Sequence, residues 1–323
     1  MFKKGIKVLE AEVGIESNDR ALLPQFPFKI EVKSLLTDFK DIEEIPYSSN
    51  LDGYISIKEE KTQKAFYEFL GEKVKFRGPF RKLTERASDL RFTLWGNQGF
   101  LFRYILFLLE RKHQIYNFHG CALYQETYNR LYLIIGGAGS GKTVYLLSGL
   151  DKGLKLFSTE IVHFRIEKGA IEWFMGSLID NVRAGTLRHN FPRFTPDIKI
   201  PEAEDEWQKK IALDLSSSKT EEESLTDPEI VIIFPRIEEG RDGFLLNPIK
   251  EKKKIAKLLF YNISQKLSET VVLYDEIPVV GFDDAKRAMN RLNSVYKLVR
   301  HKTIIKVAYV LSNPYECWGN LLE

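Results

Sequence analysis

The chain has 323 residues, of which 44% are hydrophobic and 29% charged, a composition that fits one large or two ordinary globular domains and excludes a low-complexity or fibrous protein. Its net charge of +3 is too small to argue for nucleic acid or a membrane surface as partner. The N-terminus, Met1–Ile6, runs into a charged segment rather than an apolar one, the longest apolar stretch (Gly99–Leu109) is interrupted by Arg103, and Cys121 and Cys317 make no disulfide framework, so neither signal peptide nor membrane span is expected and the cytoplasm is the expected compartment.

Residues 1–97 read as a β-rich portion without a chemical motif. Tyr54–Ile57 and Lys73–Phe76 alternate as strands do, whereas Lys61–Leu70 reads as a helix with Ala65, Phe66 and Phe69 on one face. Gly99–Lys112 is a strongly apolar helix candidate, and it opens a second portion, residues 98–323.

That second portion carries the most informative string in the chain, Gly136-Gly137-Ala138-Gly139-Ser140-Gly141-Lys142-Thr143. It is a complete G-x-x-x-x-G-K-[ST] loop, preceded by the strand-like Leu131–Ile135 and followed by the helix-compatible Val144–Leu150. In that setting successive backbone N–H groups of Gly137–Gly141 turn toward phosphate oxygens, and the helix N-terminus adds positive potential. Lys142 then reaches the β- and γ-phosphates of ATP and Thr143 offers its hydroxyl to Mg²⁺.

Farther on, Glu202–Glu229 holds ten Asp or Glu against three Lys and reads as an acidic, mobile surface insertion near 200–229. Ile230–Phe234 reads as a buried strand, Gly243–Leu246 as another after a turn, and Lys250–Lys266 as a helix with Ile255, Leu258, Leu259 and Ile263 inward. Its cluster of Lys250, Lys252, Lys253, Lys254 and Lys257 reads as a solvated face rather than a nucleic-acid patch. Asp283 or Asp284 caps a further helix to Arg300, with Ala285, Ala288, Met289, Leu292, Val295, Tyr296 and Val299 as its apolar stripe, and Thr303–Leu311 is a last strand. Strands alternating with helices around such a loop indicate an α/β domain.

A P-loop enzyme also needs a carboxylate near Mg²⁺, and two candidates stand in the sequence. Val271-Val272-Leu273-Tyr274 followed by Asp275-Glu276 has the form of a Walker B segment, which would make the protein a nucleotide-hydrolysing ATPase. The other is Glu160, in Leu156-Phe157-Ser158-Thr159-Glu160. Phe118-His119-Gly120, the loop 136–143 and Gly153–Glu160, in this order and spacing, resemble the catalytic domain of HPr kinase/phosphorylase, which is related in fold to phosphoenolpyruvate carboxykinase. The resemblance covers roughly residues 115–165.

The resemblance implies an α/β P-loop domain of the HPr kinase/carboxykinase type with a β-rich N-terminal portion, and an ATP- and Mg²⁺-dependent phosphotransferase acting on a hydroxyl of a protein, peptide or small molecule. It places His119 beside the reacting phosphate, Lys142 and Thr143 on phosphate and Mg²⁺, and Glu160 as metal ligand. Family members assemble as oligomers, so a homo-oligomer is one expectation. The family's first acidic position, whose aspartate deprotonates the acceptor, is Thr159 here, and a neutral hydroxyl is no base near pH 7. Either another residue replaces it or the protein is a nucleotide-binding sensor without transfer. The segment Met175–Arg193 reads in two ways: as a site loop in which Asp180 replaces the base and Arg183 and Arg188 clamp phosphate, or as a polar surface loop whose charges are solvated.

Overall fold

The computed structural model of the protein describes residues 1–24, 38–195 and 206–322. It is a mixed α/β chain that divides into two compact units, Met1–Tyr116 with Gln265–Ala288, and Asn117–Ser264 with Met289–Glu323. Among the described residues no helix is long and apolar enough to cross a membrane.

The first unit begins with strands β1 (Phe2–Val8), β2 (Ala11–Ser17), β3 (Glu43–Ile45), β4 (Gly53–Glu59), β5 (Phe66–Leu70) and β6 (Lys73–Gly78), followed by helices α1 (Phe80–Arg86) and α2 (Phe100–His113). The six strands form one sheet in the order β3-β1-β2-β4-β6-β5. Alternation sets its inner face: Ile55 and Ile57 of β4 and Val74 and Phe76 of β6 are buried, while Lys73, Lys75 and Arg77 turn outward.

The helix expected over Lys61–Leu70 is not formed; Phe66–Leu70 is a strand, paired antiparallel with β6 from Phe66↔Arg77 to Leu70↔Lys73. A two-residue turn with Gly71 at φ +65° closes the hairpin. Tyr67 packs on Phe76, and Phe69 on Phe100 and Phe282, so the ladder and the aromatic core prevail over a spacing that also fits a helix.

The second unit supplies β7 (Tyr116–Gln125), β8 (Arg130–Ile135), α3 (Lys142–Asp151), β9 (Lys155–Ser158), β10 (Ile161–Glu167), β11 (Ala170–Phe174), β12 (Ile179–Arg183), β13 (Lys210–Asp214), β14 (Ser224–Thr226), β15 (Glu229–Ile237) and β16 (Phe244–Pro248). Helix α4 (Lys252–Ser268), the hairpin strands β17 (Val271–Leu273) and β18 (Ile277–Val279), helix α5 (Ala285–Arg300) and strand β19 (Ile304–Ser312) complete the chain. The main sheet runs β14-β11-β10-β7-β8-β15-β19-β16, with β9 beside β7. Strands β8, β15 and β19 are mutually parallel, and β7 and β16 flank them antiparallel.

Helix α3 packs on one face of this sheet through Tyr145, Leu146 and Leu147, against Leu123, Tyr132, Ile134, Val231 and Val310. Two polar contacts fix its rotation: Tyr145 Oη lies 2.8 Å from Ser312 Oγ, and Trp318 Nε1 donates to the Tyr145 carbonyl at 3.1 Å.

Two further expectations are corrected. Residues 202–205 of the acidic stretch lie outside the described residues, but 206–229 are built into the fold: β13 pairs with β12, β14 pairs with β11, and Leu213, Leu215 and Leu225 are buried while Glu221–Glu223 stay exposed. On α5 the inward face is Arg291, Ser294, Val295, Leu298 and Val299, whereas Ala285 and Met289 are exposed. The stripe is rotated because Leu298 and the buried Arg291 join it, a placement that apolar spacing does not report.

Candidate functional site

Strand β8 is buried from Leu131 to Ile135, and the chain then turns through 136–141 into α3. The turn requires glycine at two points. Gly139 and Gly141 have φ of +78° and +99°, and a Cβ on Gly141 would lie 2.3 Å from Ile237 Cγ1. Tyr145 N–H donates to the Gly141 carbonyl at 3.0 Å, the first helical bond, so the loop ends directly on the N-terminus of α3.

Gly137, Ala138 and Gly139 are exposed, which leaves their amides open to a ligand. Lys142 curls back over the loop, its Nζ donating to the carbonyls of Gly136 (2.8 Å) and Gly137 (3.2 Å). Ser140 Oγ is buried within the loop without a hydrogen-bond partner. An exposed run of amides, an ammonium held at the loop mouth and an orphaned hydroxyl fit a bound polyphosphate.

Residues distant in sequence surround this loop. The register Gly120↔Ile135 between β7 and β8 brings His119 level with Gly136. Its backbone is clamped on both sides by one amide: His119 N–H donates to Asn262 Oδ1 at 2.9 Å, and Asn262 Nδ2 donates to the His119 carbonyl at 2.8 Å. Nε2 of His119 lies 3.6 Å from Glu160 Oε2, both side chains half-buried, and Gly120 N–H donates to the Glu160 carbonyl at 2.9 Å.

Asp180 is buried on β12, where one carboxylate oxygen accepts the Asn181 N–H at 2.6 Å. Cys121 connects these groups. Its Sγ is 3.6 Å from the Lys142 carbonyl, and burial raises its thiol pKa, with Asp180 and Glu160 pushing further up and Lys142 opposing. Asp180, Glu160 and Lys142 are thus all within electrostatic reach of one buried sulfur, and that sulfur stays a neutral thiol, unfit as a nucleophile at ordinary pH.

Thr159, at the position where the resembling family has its base, faces away from such a role. Its hydroxyl lies 2.8 Å from the Ile179 carbonyl and 3.1 Å from that of Ser177, and it is buried.

The arginines divide. Arg183 ends β12, exposed, opposite Lys210 of β13. Arg188 is committed to Glu206, which also sits 2.5 Å from His189 Nε2. The hydrogen bond from His189 is the largest cause holding the Glu206 carboxyl below its usual range, with Arg188 adding to it. Arg188 is therefore half of an ion pair rather than an open clamp.

Asp275 and Glu276 do not meet the strand context that a Walker B carboxylate needs. Strand β17 belongs to a two-stranded hairpin with β18 in the first unit, not to the sheet carrying the loop. Tyr274 and Asp275 form its turn at φ +53° and +62°, and Asp275 Oδ2 accepts the Ser88 N–H at 3.0 Å, which lowers its pKa.

The strand parallel to β8 is β15, and sequence reasoning passed over its end. A Cβ on Gly136 would lie 3.7 Å from Pro235 Cδ and Ile237 abuts Gly141, so the carboxylate next along, Glu238, follows directly on the loop's neighbour strand. Glu238 is held by Arg241 (2.7 Å) and Arg236 (3.1 Å). The signal was the apolar run Ile230–Phe234 with acidic Glu238 four residues on. Among the described residues, no three His, Cys, Asp or Glu form a metal-holding group. No protein-family model matches the chain, and no curated protein matches it significantly.

Proposed function

We propose that the loop Gly136–Thr143 binds Mg·ATP and that the second unit is an HPr-kinase-like phosphotransferase, of the HPr kinase/carboxykinase type, acting on a hydroxyl of a protein, peptide or small molecule. The observation that supports this reading is a glycine-rich loop at a helix N-terminus carrying Lys142, with His119 level with Gly136 and 3.6 Å from Glu160, and with the Thr159 hydroxyl 2.8 Å from the Ile179 carbonyl, next to Asp180. The two unpaired, buried cysteines accord with a cytoplasmic protein.

Each residue has a task in this reading. The amides of Gly137–Gly141 hold phosphate oxygens, and Lys142 exchanges its two carbonyl partners for the β- and γ-phosphates. Thr143 and Glu160 would hold Mg²⁺ together with phosphate oxygens; the ion supplies charge neutralisation on the transferring group. Asp180 accepts the acceptor's proton as the new oxygen–phosphorus bond forms and the bond to the ADP oxygen breaks, the role that Thr159 cannot take. His119, positioned by Asn262, faces Glu160 and orients it.

A second reading is favoured by one observation. Because the Thr159 hydroxyl is bound to backbone carbonyls, the protein fits equally a nucleotide-binding sensor that performs no transfer. γ-Labelled ATP incubated with the protein and an extract of its own cells separates the two. Label on a macromolecule or metabolite, lost with Asp180→Asn, supports the kinase. ATP retained intact under every condition supports the sensor and contradicts the kinase.

A further inference from the structure

Strands β8, β15 and β19 are parallel neighbours, so their C-terminal ends lie along one edge of the sheet, the edge at which such sheets take their ligands. The loop Gly136–Thr143 follows β8. On one side of β8 lies β7, which carries His119 with Glu160 beside it. On the other side come β15 and then β19, at about 4.8 Å per strand, so the end of β19 is about 10 Å from that of β8. A nucleotide whose terminal phosphate faces His119 and Glu160 therefore extends its nucleoside the other way, across the ends of β15 and β19.

Tyr315 stands at that place, three residues past β19. It is 74% exposed, and its side chain makes no hydrogen bond, ion pair or ring contact among the described residues. Its backbone, by contrast, is fixed. Asn313 Oδ1 accepts the N–H of Tyr315 at 2.8 Å and that of Glu316 at 2.9 Å, and Asn313 Nδ2 donates to the Arg241 carbonyl at 3.2 Å. Glu238 N–H donates to the Ser312 carbonyl at 3.0 Å, so the turns after β15 and β19 are stitched together. Pro314 is buried, and Trp318 Nε1 anchors the segment to the Tyr145 carbonyl in the first turn of α3. A ring presented on a backbone already ordered gives up little entropy on stacking, and every nucleobase offers it a π-face.

We infer that Tyr315 stacks on the base of the bound nucleotide, which sits over the turns after β15 and β19. The inference rests on the nucleotide reading and adds to it the residue that supplies affinity for the base rather than for the phosphates. Titration calorimetry of the full chain with Mg·ATP and with Mg·tripolyphosphate tests it, with thermal melts to verify folding of each variant. The wild-type protein is expected to bind ATP more tightly than tripolyphosphate. Tyr315→Ala is expected to weaken ATP binding by about tenfold and to leave tripolyphosphate binding unchanged, whereas Tyr315→Phe, which keeps the π-face, binds both as the wild type does. Lys142→Ala is expected to weaken both ligands. Equal ATP affinity in the wild type and a folded Tyr315→Ala protein, equal loss of ATP and tripolyphosphate in that variant, or a Tyr315→Phe protein as weak as Tyr315→Ala would each overturn the inference and leave the nucleotide reading standing. A wild-type protein that binds neither ligand would overturn both.

Discussion

The hydroxyl of Thr159 lies 2.8 Å from the carbonyl oxygen of Ile179, the residue immediately before Asp180. Together with the Thr159 N–H, which donates to the Ser177 carbonyl at 2.8 Å, it ties the β9–β10 turn to the start of β12 and so holds the segment that carries the proposed base. A carboxylate at this position would confront two carbonyl oxygens. Thr159→Asp is therefore expected to lower stability by roughly 1–3 kcal/mol in urea unfolding, with no gain in phosphoryl transfer. A Thr159→Asp protein of unchanged stability and faster transfer would refute this assignment.

The carboxylates are expected to rank in a definite order. Asp180→Asn removes the proposed proton acceptor and should lower transfer by roughly 10²–10⁴-fold while leaving ATP binding nearly unchanged. Glu276→Gln, on the hairpin of the first unit, should leave both unaltered. Single-turnover rates with labelled ATP read this order directly; a large loss in the Glu276 variant would return the hydrolytic reading.

The glycine-rich loop was legible from sequence for a physical reason. A phosphate-binding loop draws on backbone amides and positive-φ glycines, so its requirements are local and leave a contiguous string. His119 and Glu160 were singled out only through the family resemblance around that string, and their side chains lie 3.6 Å apart. Long-range pairing left no such mark. Phe66 and Phe69 fit a helix face as well as a hairpin until β6 is laid beside them. The strand Val271–Leu273 reads the same whether it joins a parallel sheet or a two-stranded hairpin, and only the topology separates Asp275 from Glu238. The acidic segment looked solvated because its charges are, yet Leu213, Leu215 and Leu225 at alternate or isolated positions anchor it.

Helix α3 positions the loop through close packing, and Gly149 marks its tightest point. A Cβ there would lie 2.2 Å from Leu123 Cδ1 and 2.6 Å from Trp318 Cζ2. Alanine would gain about 1 kcal/mol of helix propensity, but the overpacking costs about 1–3 kcal/mol. Gly149→Ala is expected to be net destabilising by denaturant unfolding and to weaken ATP binding through the shifted helix. A more stable variant would show that this contact yields easily.

Acid should weaken the fold through His163. This imidazole is fully buried on β10, and burial lowers its pKa to about 3. Between pH 6.5 and about 3 the unfolded chain binds a proton that the folded chain refuses, so stability falls as pH drops through that window. The slope contributed by this group is at most about 1.4 kcal/mol per pH unit. Urea unfolding at pH 7, 6 and 5 should show it, and H163Q should flatten it; an unchanged slope in a folded H163Q protein would assign the pH dependence elsewhere.

Equilibrium binding of Mg·ATP to the full chain and to Lys142→Ala, by titration calorimetry, tests the central claim most directly. Binding by the wild-type protein, weakened by roughly 10–100-fold when the ammonium that bridges Gly136 and Gly137 is removed, is the expected result. A folded wild-type protein that takes up no nucleotide, or a Lys142→Ala protein that binds it equally well, would contradict the account.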